Sequence, residues 1–291
     1  MKPARVLVTG ATGFLGNHVV NELVKRRIPV VATGRDQAKL DSAGWPDLVE
    51  RVSFDLADSH QGVFESFGQP SHCIHLAWSG LPNYNSETHM TECLPQSRSF
   101  LFDMINGGLQ HLLVTGTCFE YGMQEGELDE STEPKPSNPY GKAKDRLRQE
   151  LETLVSGKPA RLQWARIFYM YGAGQGEKSL FAQLQKALDD GETTFDMSGG
   201  QQIRDFLPVE EIAEALADII CHPTHSGVVN VCSGRSLVLQ SLVQEYLQKR
   251  NASIKLNLGV YPYPDWEPFR FWGNAELLTS IRKEVRELSS L

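Results

Sequence analysis

Val6-Leu7-Val8-Thr9-Gly10-Ala11-Thr12-Gly13-Phe14-Leu15-Gly16 is the stretch that decides the fold. A short apolar run closes on Thr9-Gly10, and a helical pattern follows with Leu15, Val19, Val20 and Leu23 on one face. Gly10 allows the tight turn between them, Gly13 lets backbone approach a pyrophosphate, and Gly16 lets helix and strand pack closely. The helix N-terminus presents free N–H groups and a positive dipole end to phosphates. Such a glycine pattern is weak evidence alone. Between a strand and a helix in a βαβ unit it has the required context, and it assigns Gly10, Thr12, Gly13, Phe14, Leu15 and Gly16 to a dinucleotide.

Working outward, residues 28–33, 52–54, 73–77, 112–115 and 162–167 read as further strands, and 94–106 as a helix. Pro139 opens another helix running to about Val155, its missing N–H suiting a first-turn position. Strands alternating with helices predict an α/β fold, a Rossmann-type doubly wound parallel sheet with right-handed crossovers. Beyond residue 170 Gly-rich turns separate shorter elements: a helix over 208–221, a strand over 228–231, a helix over 236–250 and an irregular stretch over 258–273. The expected division is a dinucleotide-binding core over 1–170, with segments of 205–235 returning to it. Residues 171–291 then form a smaller α/β substrate lobe, with a cleft between the two.

Composition narrows the partners. The 291 residues are 41% apolar and 22% charged, enough for a sizeable core. The net charge of −8, from 28 basic and 36 acidic residues, argues against a nucleic-acid binder. No run approaches about 18 apolar residues, so no membrane span is expected. The N-terminus leads directly into a strand with no apolar leader, and Cys73, Cys93, Cys118, Cys221 and Cys232 form no CxxC pair. Free thiols in a cytoplasmic protein fit that usage. His72/His75 and His222/His225 lack the surrounding ligands a metal needs, so no metal is expected.

The second strand ends Ala32-Thr33-Gly34-Arg35. An NAD site usually carries an acid there to hold the ribose hydroxyls; here that position is Gly34, followed by Arg35. An arginine pairs with a 2′-phosphate that a carboxylate would repel, so NADP(H) is preferred and NAD(H) is the alternative. Two roles fit Asp36, an NAD-type acid or a helix cap. Two also fit Asp55 after the third strand, contact with the adenine amino group or an N-cap.

Tyr140 and Lys144 stand four residues apart on the helix opened by Pro139, which puts both on one face. Tyrosine titrates near pH 10, and a shift of about three units needs about 4 kcal/mol. A lysine ammonium about 4 Å away supplies that order of energy at an effective dielectric near 20. A hydroxyl to hold a substrate carbonyl is then wanted. Thr117 and Thr115, at the end of the fifth strand, are the candidates.

Together these motifs resemble the extended short-chain dehydrogenase/reductase family, in its nucleotide-sugar epimerase/dehydratase/reductase branch. TGATGFLG resembles the family's cofactor turn, His75-Leu76-Ala77 its fourth strand, and Thr117-Cys118-Phe119-Glu120-Tyr121-Gly122 its strand-end motif. Arg166–Gly172 and Gln202-Ile203-Arg204-Asp205-Phe206 also fit. The resemblance implies Thr117, Tyr140 and Lys144 as catalytic residues. It adds Arg35, Asp55, Leu56, Leu76 and Ala77 to the cofactor site, and Trp78, Ser79, Tyr169, Arg204 and Arg270 to the substrate site. Arg204 would grip a substrate diphosphate; the alternative for Arg204–Asp205 is a local ion pair. Phe206 and Tyr169 could equally shape the pocket or serve as core.

The departures from the family matter as much. Where 4,6-dehydratases carry an Asp-Glu pair, this chain has Cys118 and Phe119, neither able to protonate a leaving hydroxyl as a carboxyl does. Enzymes that epimerise C3 and C5 use a Cys at the position held here by Phe119, and Cys118 is in the opposite register. The resemblance therefore implies a 4-ketoreductase acting on a nucleotide-diphosphate 4-keto-6-deoxyhexose. A 4-epimerase with tightly held cofactor is one alternative, a non-catalytic NADP-binding redox sensor another. It also implies a homodimer through the helices at 94–106 and 139–155, whose apolar faces would otherwise need cover.

Overall fold

Val6 and Val8 face one side of a central sheet and Leu7 the other, and each side is packed under helices. A parallel strand buried on both faces needs this unbroken apolar run. The computed structural model describes residues 5–58 and 61–289. Its first half runs β1 (Val6–Thr9), α1 (Phe14–Lys25), β2 (Val30–Gly34), α2 (Gln37–Asp41), β3 (Val49–Ser53), α3 (Val63–Ser66) and β4 (His72–His75). It continues with α4 (Leu94–Gly107), β5 (His111–Thr117), β6 (Gly126–Leu128), α5 (Pro139–Val155) and β7 (Arg161–Ile167). Then come β8 (Tyr169–Tyr171), α6 (Leu180–Asp189), β9 (Thr194–Asp196), β10 (Ile203–Arg204), β11 (Phe206–Pro208) and α7 (Val209–Cys221). The chain ends with β12 (Gly227–Val231), β13 (Leu237–Val238), α8 (Leu239–Lys249), β14 (Lys255–Asn257), β15 (Phe271–Gly273) and α9 (Glu276–Ser289).

Seven strands form the parallel sheet, in the order β12-β7-β5-β4-β1-β2-β3. This is the Rossmann-type sheet expected from the sequence. One face buries Val19, Val20 and Leu23 of α1 with Ile212, Leu216 and Ile219 of α7 and Leu278 and Ile281 of α9. The other buries Phe100, Leu101 and Met104 of α4 with Ala143, Leu147 and Leu151 of α5. β12 and α7 thus return to the sheet from beyond residue 170, and α9 packs on α7. A separate cluster of Phe181, Leu184, Phe195, Met197, Val243 and Tyr246 forms the core of a smaller lobe around α6 and α8.

The apolar faces of α4 and α5 are therefore covered by the chain's own sheet, which removes the need for a partner to cover them. The outward side of α5 is charged and paired within itself, through Arg146–Glu150 (2.7 Å) and Arg148–Glu152 (2.8 Å).

Candidate active site

β1 and β4 are neighbours, and the chain leaves them in opposite directions across the sheet, so a crevice opens at their C-terminal ends. Gly10 lies in this crevice at φ +66°, and a Cβ built on it would stand 2.9 Å from the Ala77 Cα. Only glycine fits that approach. The Thr9 hydroxyl ties the two loops together, accepting from the backbone N–H groups of Leu76 and Ala77 at 3.2 Å each. Gly13 caps α1 without any side-chain hydrogen bond, so the first-turn N–H groups are left for a ligand. A groove of about 250 Å³ is lined here by Gly10, Thr12, Gly13, Arg35, Asp55, Leu56, Leu76, Ala77, Trp78 and Ser79. Phe14, Leu15 and Gly16 follow in the first turn of α1, where Leu15 turns to the core.

Asp36 and Asp55 both accept from backbone N–H groups close by in the chain. Asp36 is the N-cap of α2 and accepts from the Lys39 N–H at 3.2 Å. Asp55 accepts from the Ala57 N–H at 3.0 Å while lining the groove. Arg35 is exposed at the groove rim, and among the described residues no carboxylate pairs with it.

Thr117, Tyr140 and Lys144 come together. Asn138 caps α5, accepting from the Gly141 N–H at 2.8 Å, and the Tyr140 N–H donates to the Tyr84 carbonyl at 3.1 Å. Tyr140 is buried, its phenol pushed up by loss of water, with a Thr117 hydrogen bond opposing the shift. Lys144 is buried too, and its ammonium donates to the Thr115 carbonyl at 2.9 Å. Desolvation lowers Lys144 to about 7. The expectation that the lysine depresses the tyrosine is corrected by this geometry. The ammonium lies 6.0 Å from the Tyr140 ring centre, and burial of both groups outweighs their interaction. Thr115 contributes its backbone carbonyl here, while its hydroxyl donates to the His75 carbonyl at 3.3 Å.

A buried ion pair anchors Thr117 from below. Glu120 accepts from the Thr117 N–H at 2.9 Å, from the Trp164 indole at 3.0 Å and from the Arg166 Nε at 2.7 Å. The Thr117 hydroxyl in turn accepts from the Phe119 N–H at 3.3 Å, completing a capping box over a 3-10 turn at Cys118–Tyr121. Nothing in the sequence pattern marked Glu120 or Arg166 as a pair.

On the substrate side, Trp78 lies over Lys144 and Tyr169 stacks on Phe206 at 5.1 Å. Arg204 is buried, but it forms no pair with Asp205, which accepts instead from the N–H groups of Ser233 (2.7 Å) and Gly234 (3.0 Å). Its guanidinium meets Glu267 at 2.8 Å. Arg270 does not join it. Ile203 is in register with Arg270, so Arg204 points to the opposite face, and the exposed Arg270 pairs with Glu125 at 3.5 Å. Sequence reasoning missed Tyr84, His89 and Trp266, which join an aromatic cluster around Tyr140, and Glu267, the partner of Arg204. Tyr84 packs against Tyr140, Phe119 and Trp266, with ring centres 5.7, 4.8 and 5.5 Å away. His89, in a π-helical turn at His89–Cys93, lies 5.2 Å from the Tyr140 ring. A π turn at such a place is a common mark of a functional site.

The family described as NAD dependent epimerase/dehydratase matches residues 6–232. A dTDP-6-deoxy-L-talose 4-dehydrogenase (NAD(+)) of Aggregatibacter actinomycetemcomitans is 29% identical over 92% of this chain and 98% of its own. A dTDP-4-dehydro-6-deoxyglucose reductase of Escherichia coli is 23% identical over 84% of this chain and 82% of its own. Among solved structures, a UDP-glucose-4-epimerase of Stenotrophomonas maltophila, with bound NAD and formylated UDP-arabinopyranose, superposes with a TM-score of 0.85. At 18% identity, over 99% of both chains, it shows the shared fold.

Proposed function

The chain belongs to the NAD dependent epimerase/dehydratase family, and from that premise we propose that it reduces the 4-keto group of a nucleotide-diphosphate 4-keto-6-deoxyhexose. The observation that carries this reading is the buried cluster of Thr117, Tyr140 and Lys144 beside the glycine-lined groove. The names of both curated relatives support it, one a 4-dehydrogenase and the other a reductase of a 4-dehydro sugar, each dTDP-linked. One is named for oxidation and the other for reduction, in both cases of a dTDP-linked 6-deoxy sugar at position 4.

The groove fits a nicotinamide dinucleotide: the glycine turn would hold the pyrophosphate on the uncapped N–H groups of α1, and Lys144 the nicotinamide ribose. When bound, that group supplies the hydride. Tyr140, kept protonated by its burial, gives its proton to the carbonyl oxygen as C4 is reduced. The Thr117 hydroxyl holds the same oxygen, steadied by the Glu120–Arg166 pair beneath it. Lys144 is held for the ribose contact by the Thr115 carbonyl and the face of Trp78. Cys118 and Phe119 offer no carboxyl to expel a hydroxyl, and burial pushes the Cys118 thiol further from acid chemistry. Dehydration is therefore disfavoured.

For the cofactor, the proposal is NADP(H). Gly34 stands where an acid would hold the ribose, Arg35 is exposed at the rim with no carboxylate partner among the described residues, and Asp36 caps α2. The Aggregatibacter relative is named for NAD(+), so this chain is proposed to differ from it. A homodimer through α4 and α5 would place the charged outward side of α5 in the interface.

The test mixes purified protein with NADPH or NADH and a dTDP- or GDP-linked 4-keto-6-deoxyhexose and follows absorbance of the reduced cofactor. Oxidation with NADPH ahead of NADH is expected. No oxidation with any such sugar refutes the proposal, and interconversion of C4 epimers without added cofactor would identify a 4-epimerase.

A further inference from the structure

The chain between β4 and α4 passes through the π-helical turn His89–Cys93, and both ends of that turn hold residues that line the groove. The Cys93 thiol meets the Ser79 hydroxyl at 3.2 Å, and His89 Nδ1 accepts from the Trp78 indole at 3.1 Å. Trp78, Ser79 and Cys93 are all groove-lining residues. His89 is fully buried, and its Nε2 donates to the Asn83 carbonyl at 2.8 Å. An indole N–H only donates and a carbonyl only accepts. These two partners therefore leave His89 one form, the neutral imidazole with its proton on Nε2. The approach is tight, since a Cβ built on Gly80 (φ +84°) would stand 3.2 Å from His89 Cε1.

We propose that His89 is a positioning residue that acts on Lys144 through Trp78. This rests on the reading above in which Lys144 holds the nicotinamide ribose, and it names the group that fixes the surroundings of that lysine. The Lys144 ammonium lies 3.9 Å from the Trp78 ring centre, and such a contact needs the face of the ring toward the charge. The indole has one hydrogen-bonding atom, Nε1, and His89 holds it. A side chain at 89 that cannot accept strands the indole N–H and frees the ring to turn off the ammonium. Glutamine carries an acceptor and a donor about as far apart as the two imidazole nitrogens, so it can replace both bonds.

NADPH binding to the full chain, followed by fluorescence from about pH 6 to about pH 9, tests this without any sugar. The range spans the Lys144 value of about 7, and affinity should fall as that lysine loses its proton. In His89→Leu the fall should come about half a pH unit lower, an about threefold change in proton affinity. His89→Gln should follow the native curve. Lys144→Met should flatten the curve, and adding His89→Leu to it should then leave the affinity where it is. Glu120, Cys93, His75 and Tyr140 also face Lys144, from the turn after β5, the π turn, β4 and α5, and all four are kept in every variant. If His89→Leu does not fold, Trp78→Phe cuts the same hydrogen bond from the other side and should shift the curve the same way. An unchanged curve in a folded variant, or an equal effect of His89→Leu with and without Lys144, overturns the proposal and leaves the nucleotide-sugar reading standing. NADPH affinity that does not respond to Lys144→Met overturns the ribose contact and the proposal together.

Discussion

The Lys144 ammonium lies 3.9 Å from the centre of the Trp78 ring, against its face. The indole N–H donates to His89 Nδ1 at 3.1 Å, and His89 Nε2 donates to the Asn83 carbonyl at 2.8 Å. The indole is thus held in place from behind. A desolvated cation–π contact favours the charged lysine by about 0.5–2 kcal/mol, against the desolvation that pulls it to about 7. Trp78→Leu should move the alkaline limb of the kcat/KM profile about one pH unit lower, and Trp78→Phe by less. A pH–rate series for the three proteins checks it; superimposable profiles would deny Trp78 this role.

Lys144 also makes stability depend on pH. Its folded value of about 7 lies below the ordinary 10.5, so between those limits the unfolded chain binds more protons and native stability rises with pH. Below about 7 both states are protonated and the full cost of the buried charge is felt. Lys144→Met escapes this cost. It should melt above the native protein at pH 6, with the difference shrinking toward pH 10.5. Melting curves across that range decide the matter.

At the groove rim, Arg35→Ala should weaken NADPH by about 10- to 100-fold, the worth of a charge-assisted contact of about 1.5–3 kcal/mol, and leave NADH nearly unchanged. Steady-state KM values for both cofactors measure it.

Glu120→Ala should cost about 3–5 kcal/mol in urea unfolding, because it strands the buried Arg166 guanidinium. Glu120→Gln/Arg166→Met, which removes both charges, should recover much of that loss. Activity should stay low in the double variant, since the Thr117 N–H loses its carboxylate partner.

The core of this arrangement could be read from sequence because it is local. The glycine turn lies between two adjacent elements, and Tyr140 and Lys144 share one helix behind the Asn138 cap and Pro139. Strand edges were displaced for local reasons too. The second strand was expected from residue 28, but Pro29 has no N–H for the ladder, and β2 begins at Val30. What escaped reading depends on distant parts of the chain. Glu267 reaches Arg204 from an aperiodic, aromatic stretch, and His89 meets Trp78 across a loop. Periodicity showed that α4 and α5 have apolar faces, but not that both would lie on one side of the sheet and be covered by it. The i, i+4 spacing set Lys144 on the right side of α5, yet the Thr115 carbonyl decides where its ammonium points.

Hydride transfer to C4 is the central claim, and isotope transfer tests it most directly. NADPH carrying deuterium on the transferred position is incubated with a dTDP-linked 4-keto-6-deoxyhexose, and the product sugar is examined by NMR. Deuterium at C4 is expected with the native protein, with Tyr140→Phe slower by about 10²- to 10⁴-fold, the usual worth of a positioned proton donor. Product sugar with no deuterium at C4, or full-rate labelling by Tyr140→Phe, would contradict it.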